Sequence, residues 1–372
     1  MTFALLLVAA LAVIASLAKL PLGATRALGA AFLAAGLFAA LRHPLGDAGG
    51  ALLALAMGAL AHRFAPPRVL RRVAFLVPSF ALLIAVTTAL MYLAPGSPFA
   101  QERALAPSVE AALRERYGVP ENAFGFFRIY AERLLLAGDL GPALKVQGRT
   151  VAELLAPALP VSLALGGAAL LLALVLGVGL GVRAGLRPNS ASDYASMGLA
   201  LFGISLPAFV IGAGLVIVFA LRLGWLPVAG WGGPASAVLP CVTLALPYAA
   251  VIARLARAGI VEAMRQDFVR TARAKGLPES AVVWRHALRP ALLPVVSYLG
   301  PAAAGILTGS FVVETLFGVP GMGQWFVKGA INRDYPVVLG TALFYFGLVS
   351  LFNLAVDLAY AWLDPRTEQE AA

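Results

Sequence analysis

Glu262–Pro294 reads EAMRQDFVRTARAKGLPESAVVWRHALRPALLP. It carries Arg265, Arg270, Arg273, Lys275, Arg285 and Arg289 against only Glu262, Asp267 and Glu279. On either side lie stretches with no Asp, Glu, Lys, Arg or His, from Leu223 to Ala253 and from Pro290 to Val313. Lys and Arg are retained on the inner side of a membrane, so a basic segment between two apolar runs reads as a cytoplasmic loop. Its inner order is that of helix, turn, helix. Ala272, Ala274 and the charges around them favour helix, Gly276 suits a C-terminal cap, and Pro278 suits the first turn of a second helix. The segment should present a rigid knob to the cytoplasm.

Composition fixes the setting. Of 372 residues, 61% are hydrophobic and 12% charged, with a mean hydropathy of +0.88. A membrane span needs roughly 20 apolar residues, so the chain can hold several. Backbone groups find no water in lipid, which leaves helices or a closed barrel. The long runs of Leu, Ala and Val do not alternate as barrel strands must. The expected fold is therefore all-α, a polytopic transmembrane helical bundle. The net charge of +10 does not imply nucleic acid, because the basic residues gather at segment ends and in loops. The lone Cys241 excludes an intrachain disulfide. His43, His62 and His286 are too scattered for a metal site built on histidine.

Residues 1–62 form a hydrophobic extension of two or three short spans, with apolar runs at Phe3–Leu17, Leu28–Leu41 and Leu52–Ala61. The first run lacks the basic start of a signal peptide, since Lys19 follows it, and reads as retained. Arg63, Arg68, Arg71 and Arg72 place the next stretch inside. Six core spans follow, at Val73–Ala94, Leu154–Val182, Met197–Leu221 (broken at Pro207), Val238–Ala253, Ala291–Val313 and Val337–Tyr360. Residues 101–153 hold seven basic and seven acidic residues and read as an external loop. Pro207, Pro240, Pro247 and Pro294 read as tolerated kinks, and Trp225, Trp231 and Trp325 as interfacial anchors. Gly177, Gly181 and Gly185 share one helix face and read as close intramolecular packing. Both core termini then lie inside, with residues 367–372 as a short tail.

Several chemistries are missing. No Gly-x-x-x-x-Gly-Lys-Ser/Thr occurs, so the chain has no phosphate-cradling loop of that kind. Neither Gly-x-Ser-x-Gly nor His-Glu-x-x-His is present. No cofactor and no enzymatic activity are expected. The core spans hold few ionisable groups, Glu314 and Asp357 lying toward span ends, which argues against ion-coupled transport. Asp334 reads as a solvated surface acid, and Glu314 as a residue that could meet a delivering protein.

The quoted stretch resembles the EAA loop of ABC-transporter membrane subunits, and in wording the dipeptide/oligopeptide/nickel importer permeases. The matching pieces are FVRTARAKG at Phe268–Gly276, His-Ala-Leu-Arg at His286–Arg289 and Leu-Leu-Pro at Leu292–Pro294. Tyr117-Gly118-Val119, Gly138-Asp139-Leu140-Gly141, Glu314–Gly323 and Arg333-Asp334-Tyr335-Pro336 look like that family's external segments. The likeness runs from about Arg71 to about Arg366, some four-fifths of the chain. It implies a six-helix type I ABC importer transmembrane domain over 63–366, with a coupling loop at 254–290. It further implies a bacterial inner-membrane location, separate ATP-binding cassette subunits, a second homologous permease and an external solute-binding protein. Glu262, Asp267, Arg270, Thr271, Ala272, Arg273, Ala274, Lys275, Gly276, Leu277 and His286 are the positions that would couple to the ATPase. Arg270, Arg273 and Lys275 could pair with acids on that partner or face lipid headgroups; His286 reads as hydrogen-bonded within the loop. The competing reading is an ATP-independent carrier or channel whose basic loop only sets topology.

Overall fold

Lipid forces each apolar run to satisfy its own backbone, and the runs are helical in the computed structural model, which describes residues 67–94, 96–99 and 106–363. The expected extension over residues 1–62 and the tail over 367–372 lie outside the described residues. Among the described residues, five helices are long and apolar enough to cross a membrane, and a bent pair makes a sixth span if counted as one. The spans are α1 (Pro67–Leu93), α4 (Val151–Leu186), the pair α5 (Ala191–Ser205) and α6 (Ala208–Leu215), α7 (Pro234–Ala263), α11 (Leu293–Leu316) and α13 (Tyr335–Leu363). Between α1 and α4 lie α2 (Pro107–Tyr117) and α3 (Ala123–Ala137), so the segment expected outside is folded rather than an open loop.

The helices outrun the apolar stretches that mark them. The fourth span, expected at Val238–Ala253, begins at Pro234, where proline suits a first turn, and continues to Ala263. Hydropathy marks where lipid ends, while Arg254, Arg257 and Glu262 are good helix formers that carry the backbone on into water. Pro207 does more than kink its span: it is the N-cap of α6, and the two halves meet at 109°. α6 then passes into a π-helix, Val216–Arg222. Pro294 is also not a kink, because it stands in the first turn of α11.

The chain divides into two compact units. One contains Trp325–Leu358 and the described residues up to Ala156. In it, Asn122 caps α3 by accepting the Gly125 amide at 2.6 Å. Tyr92, Phe126 and Tyr335 pack with ring centroids 5.5–6.1 Å apart. Tyr92 also donates its hydroxyl to the Pro120 carbonyl at 2.7 Å. Asp334, expected on the surface, is instead 2% exposed. It accepts the Leu144 and Lys145 amides at 3.0 and 2.9 Å and the Val337 amide at 3.4 Å. It therefore ties the segment before α4 to the start of α13.

The other unit, Pro157–Gln324, is built around α7. Its core joins Leu165, Ala169 and Ala173 of α4 to Leu244, Ala249 and Ile252 of α7 and Ile306 and Val313 of α11. The glycine stripe lies at the α4–α7 contact as expected. A Cβ on Gly177 would sit 2.7 Å from Ile252, one on Gly185 2.9 Å from the Arg257 carbonyl, and one on Gly181 would strike the Ala253 carbonyl. Lipid gives no hydrophobic force between helices, so this close approach supplies the packing. Trp225 is 69% exposed, whereas Trp231 packs against the core.

Candidate coupling site

The basic segment folds as a short amphipathic helix clamped to a turn. Helix α8 spans Asp267–Ala274, and its Val269 and Ala272 are buried. They join Ile260 and Ala263 of α7 and Val282, Ala287 and Ala291 in a separate apolar cluster. A side chain three residues on returns to the same helix face, so Val269 and Ala272 make one seam. Phe268, Arg270, Thr271, Arg273, Ala274 and Lys275 are left exposed. Phe268 keeps 42% of its surface in solvent, and Trp284 on the following turn keeps 71%.

Gly276 closes the helix. Its φ is +76°, a left-handed value that L side chains resist by about 1–2 kcal/mol. The Gly276 amide donates to the Arg273 carbonyl at 2.9 Å and the Leu277 amide to the Ala272 carbonyl at 3.3 Å. These two bonds are those of a Schellman cap. Leu277 then packs on the same cluster. Across the turn, Arg273 donates twice to Glu279, at 3.1 and 2.6 Å. Those bonds hold the Glu279 carboxyl below the usual carboxylate range. Arg270 donates to Asp267 at 3.2 Å. Arg270 and Arg273, two of the three basic residues expected to meet outside acids or lipid, thus have a partner within the segment.

The second arm is not one regular helix. α9 (Glu279–Ala281) runs into a π-helix, Val282–Ala287, and then α10 (Leu288–Ala291). Pro278 is its N-cap rather than its first turn. Insertions of this kind re-aim side chains and recur at functional sites. Val282, Val283 and Ala287 face inward. His286 is half-buried and makes no hydrogen bond with any described residue. Ala291 abuts α7, because a Cβ on Gly259 would strike the Ala291 carbonyl. One residue later, at Leu292, the chain caps α11.

Of the expected positions, Glu262 is exposed on the last turn of α7, and Met264–Gln266 separate it from α8. The remaining positions from Asp267 to Leu277 are brought together on one projection. Sequence reading missed a fixed point beside it. Asp193, at the start of α5, is 3% exposed and accepts both Nε and Nη2 of Arg257 on α7, at 2.5 and 2.6 Å. Bidentate geometry of that kind is the strong form of an ion pair. A lone acid following Ser190 was a legible N-cap signal, but its partner 64 residues away was not.

Residues 177–369 match the family model for the binding-protein-dependent transport system inner membrane component. The chain belongs to that family. The oligopeptide transport system permease protein OppB of Salmonella typhimurium is 47% identical over 300 residues, covering 80% of this chain and 98% of the relative. OppB of Haemophilus influenzae is 45% identical with the same coverage. The dipeptide transport system permease protein DppB of Bacillus subtilis is 41% identical over 285 residues, 77% of this chain and 92% of the relative. The share aligned agrees with the four-fifths expected from the motifs. As a binding-protein-dependent component, this chain is a multi-pass inner-membrane permease subunit of an ABC transporter. In that family the ATPase is a separate subunit, in keeping with a sequence that has no phosphate-binding loop of the Walker type.

Proposed function

We propose that the chain forms part of the peptide path of an ATP-driven importer, and that the projection Asp267–Leu277 is where its ATPase engages. The peptide reading is supported by the relatives, named as oligopeptide and dipeptide permeases and aligned over nearly their whole length. The docking reading is carried by one observation. α8 buries Val269 and Ala272 against the chain's own core and leaves Phe268, Thr271, Ala274 and Lys275 outward on a capped, braced helix. An aromatic ring rimmed by charge on a rigid support is the form that binding hot spots take. A second, related permease completes the pathway, and an external binding protein delivers the peptide. ATP-driven closure of the ATPase subunits moves α8, and α7 before it and α11, reached through the second arm, tilt with it.

Cysteine at Lys275 tests this directly. In membranes holding the assembled transporter, Lys275→Cys should crosslink to the ATPase, and Gly276→Val should abolish uptake while the chain still inserts. Assembled transporter that never yields the crosslink, or full uptake in Gly276→Val, would remove the docking role. Peptide uptake by the chain alone in ATP-free proteoliposomes would instead favour the ATP-independent carrier.

A further inference from the structure

Helix α11 connects two ends of unlike character. Its near end follows the second arm of the basic segment after one residue, Leu292. Toward its far end, about 32 Å away at 1.5 Å per residue, stands Glu314, which is wholly buried. One carboxylate oxygen accepts the Ser162 hydroxyl of α4 at 2.8 Å. The other accepts the Gly323 amide of α12 (Met322–Asn332) at 2.7 Å. Ser162 Oγ itself accepts the Met322 amide at 2.8 Å. The cage has no spare room: a Cβ on Gly321 would lie 2.5 Å from the carboxyl carbon, and one on Gly323 2.7 Å from Oε2. Thus α4, α11 and the start of α12 meet at one acid and one hydroxyl. Simple packing would be served at less cost by an apolar side chain, because an acid buried at membrane depth is expensive unless fully hydrogen-bonded.

We propose that Glu314, held by Ser162, is a positioning residue that fixes the remote end of α11, so that displacement at the coupling projection becomes a tilt of the helix instead of a slide along its axis. This rests on the projection being the ATPase dock, and it adds where the helix is anchored. A slack far end would let α11 follow the projection without reorienting, and ATP would be hydrolysed without movement of peptide.

The test uses the assembled transporter in proteoliposomes, with trialanine as the probe and ATP hydrolysis measured with and without loaded binding protein. Ser162→Ala and Glu314→Gln should each lower maximal uptake about tenfold, as loss of a hydrogen bond to a charged group does. The binding-protein concentration for half-maximal stimulation should stay unchanged, and hydrolysis should continue without uptake. Gly321→Ala, whose added methyl intrudes on the Ser162–Glu314 pair, should reproduce the loss. Should Glu314→Gln fail to accumulate, Ser162→Ala decides, since it removes a single hydroxyl. Wild-type uptake per ATP in Ser162→Ala would overturn the proposal, as would uptake and hydrolysis that fall together in proportion to folded protein. Crosslinking through Lys275→Cys in the same variants separates the two claims. Trapping with coupling intact defeats the anchor alone, whereas no trapping even without these changes defeats the dock and, with it, the anchor.

Discussion

The acids of the basic projection, Asp267 and Glu279, and two buried acids, Glu314 and Asp334, make an instructive contrast. Asp267 and Glu279 keep 94% and 58% of their side chains exposed, and each meets an arginine in solvent. Glu314 and Asp334 are 0% and 2% exposed and meet no arginine; their partners are amides and, for Glu314, a hydroxyl. Exposed ion pairs are weak because water screens them and two long side chains must be held still. A carboxylate gathered in by fixed N–H donors keeps its bonds at little entropic cost, and leaving such donors unpaired is expensive. The visible charges thus shape a surface, while the hidden ones hold elements in place.

The largest effect outside the α11 anchor should come from Asp334. Asp334→Ala strands the Leu144 and Lys145 amides, so their hydrogen exchange, read by mass spectrometry, should accelerate about tenfold to a hundredfold. Burial pushes the Asp334 carboxyl above the usual aspartate range, against the pull of its three amide donors. The folded form then holds its proton in the window between the ordinary value of about 3.9 and the raised one. Stability contributed by this site should fall as pH rises through that window, and Asp334→Asn should erase the dependence. Protection that is unaltered in Asp334→Ala would dissolve the contrast.

Glu279 should behave in the opposite sense and more weakly. Its carboxyl is depressed by Arg273, so the brace is present above the ordinary glutamate value of about 4.3 and lost as pH falls through the lower folded value. Exchange at Gly276 and Leu277, corrected for intrinsic rate, should quicken on that descent, and Glu279→Gln should flatten the curve. The smallest effect belongs to Asp267→Asn, which should leave exchange across α8 unchanged within error; a clear change there would show that its pairing with Arg270 is more than surface solvation.

What could be read in the chain tracks distance along it. The projection was legible because its parts lie close together: Arg273 and Glu279 are 6 residues apart, and Gly276 stands between them. Six spans followed from runs of apolar residues, though not their ends, since helix persists wherever charged helix formers continue the backbone into water. Ser162 and Glu314 are 152 residues apart, and Leu144 and Asp334 190. No local pattern joins such pairs. A trace was nonetheless present: Glu314 ends a stretch empty of charge from Pro290 to Val313, and an acid at such a depth needs partners. Asp334 gave less warning, because an Arg-Asp-Tyr-Pro stretch looks the same whether water or protein covers it.

Gly276 sits in open space, with no atom within 4 Å of where a Cβ would stand. Volume is therefore no obstacle at that turn; handedness is. A mirror-image alanine introduced by semisynthesis would adopt the positive φ without strain. Natural chemistry has only one achiral residue to offer there, so any other occupant of the corner between the two arms costs about 1–2 kcal/mol on stereochemical grounds alone.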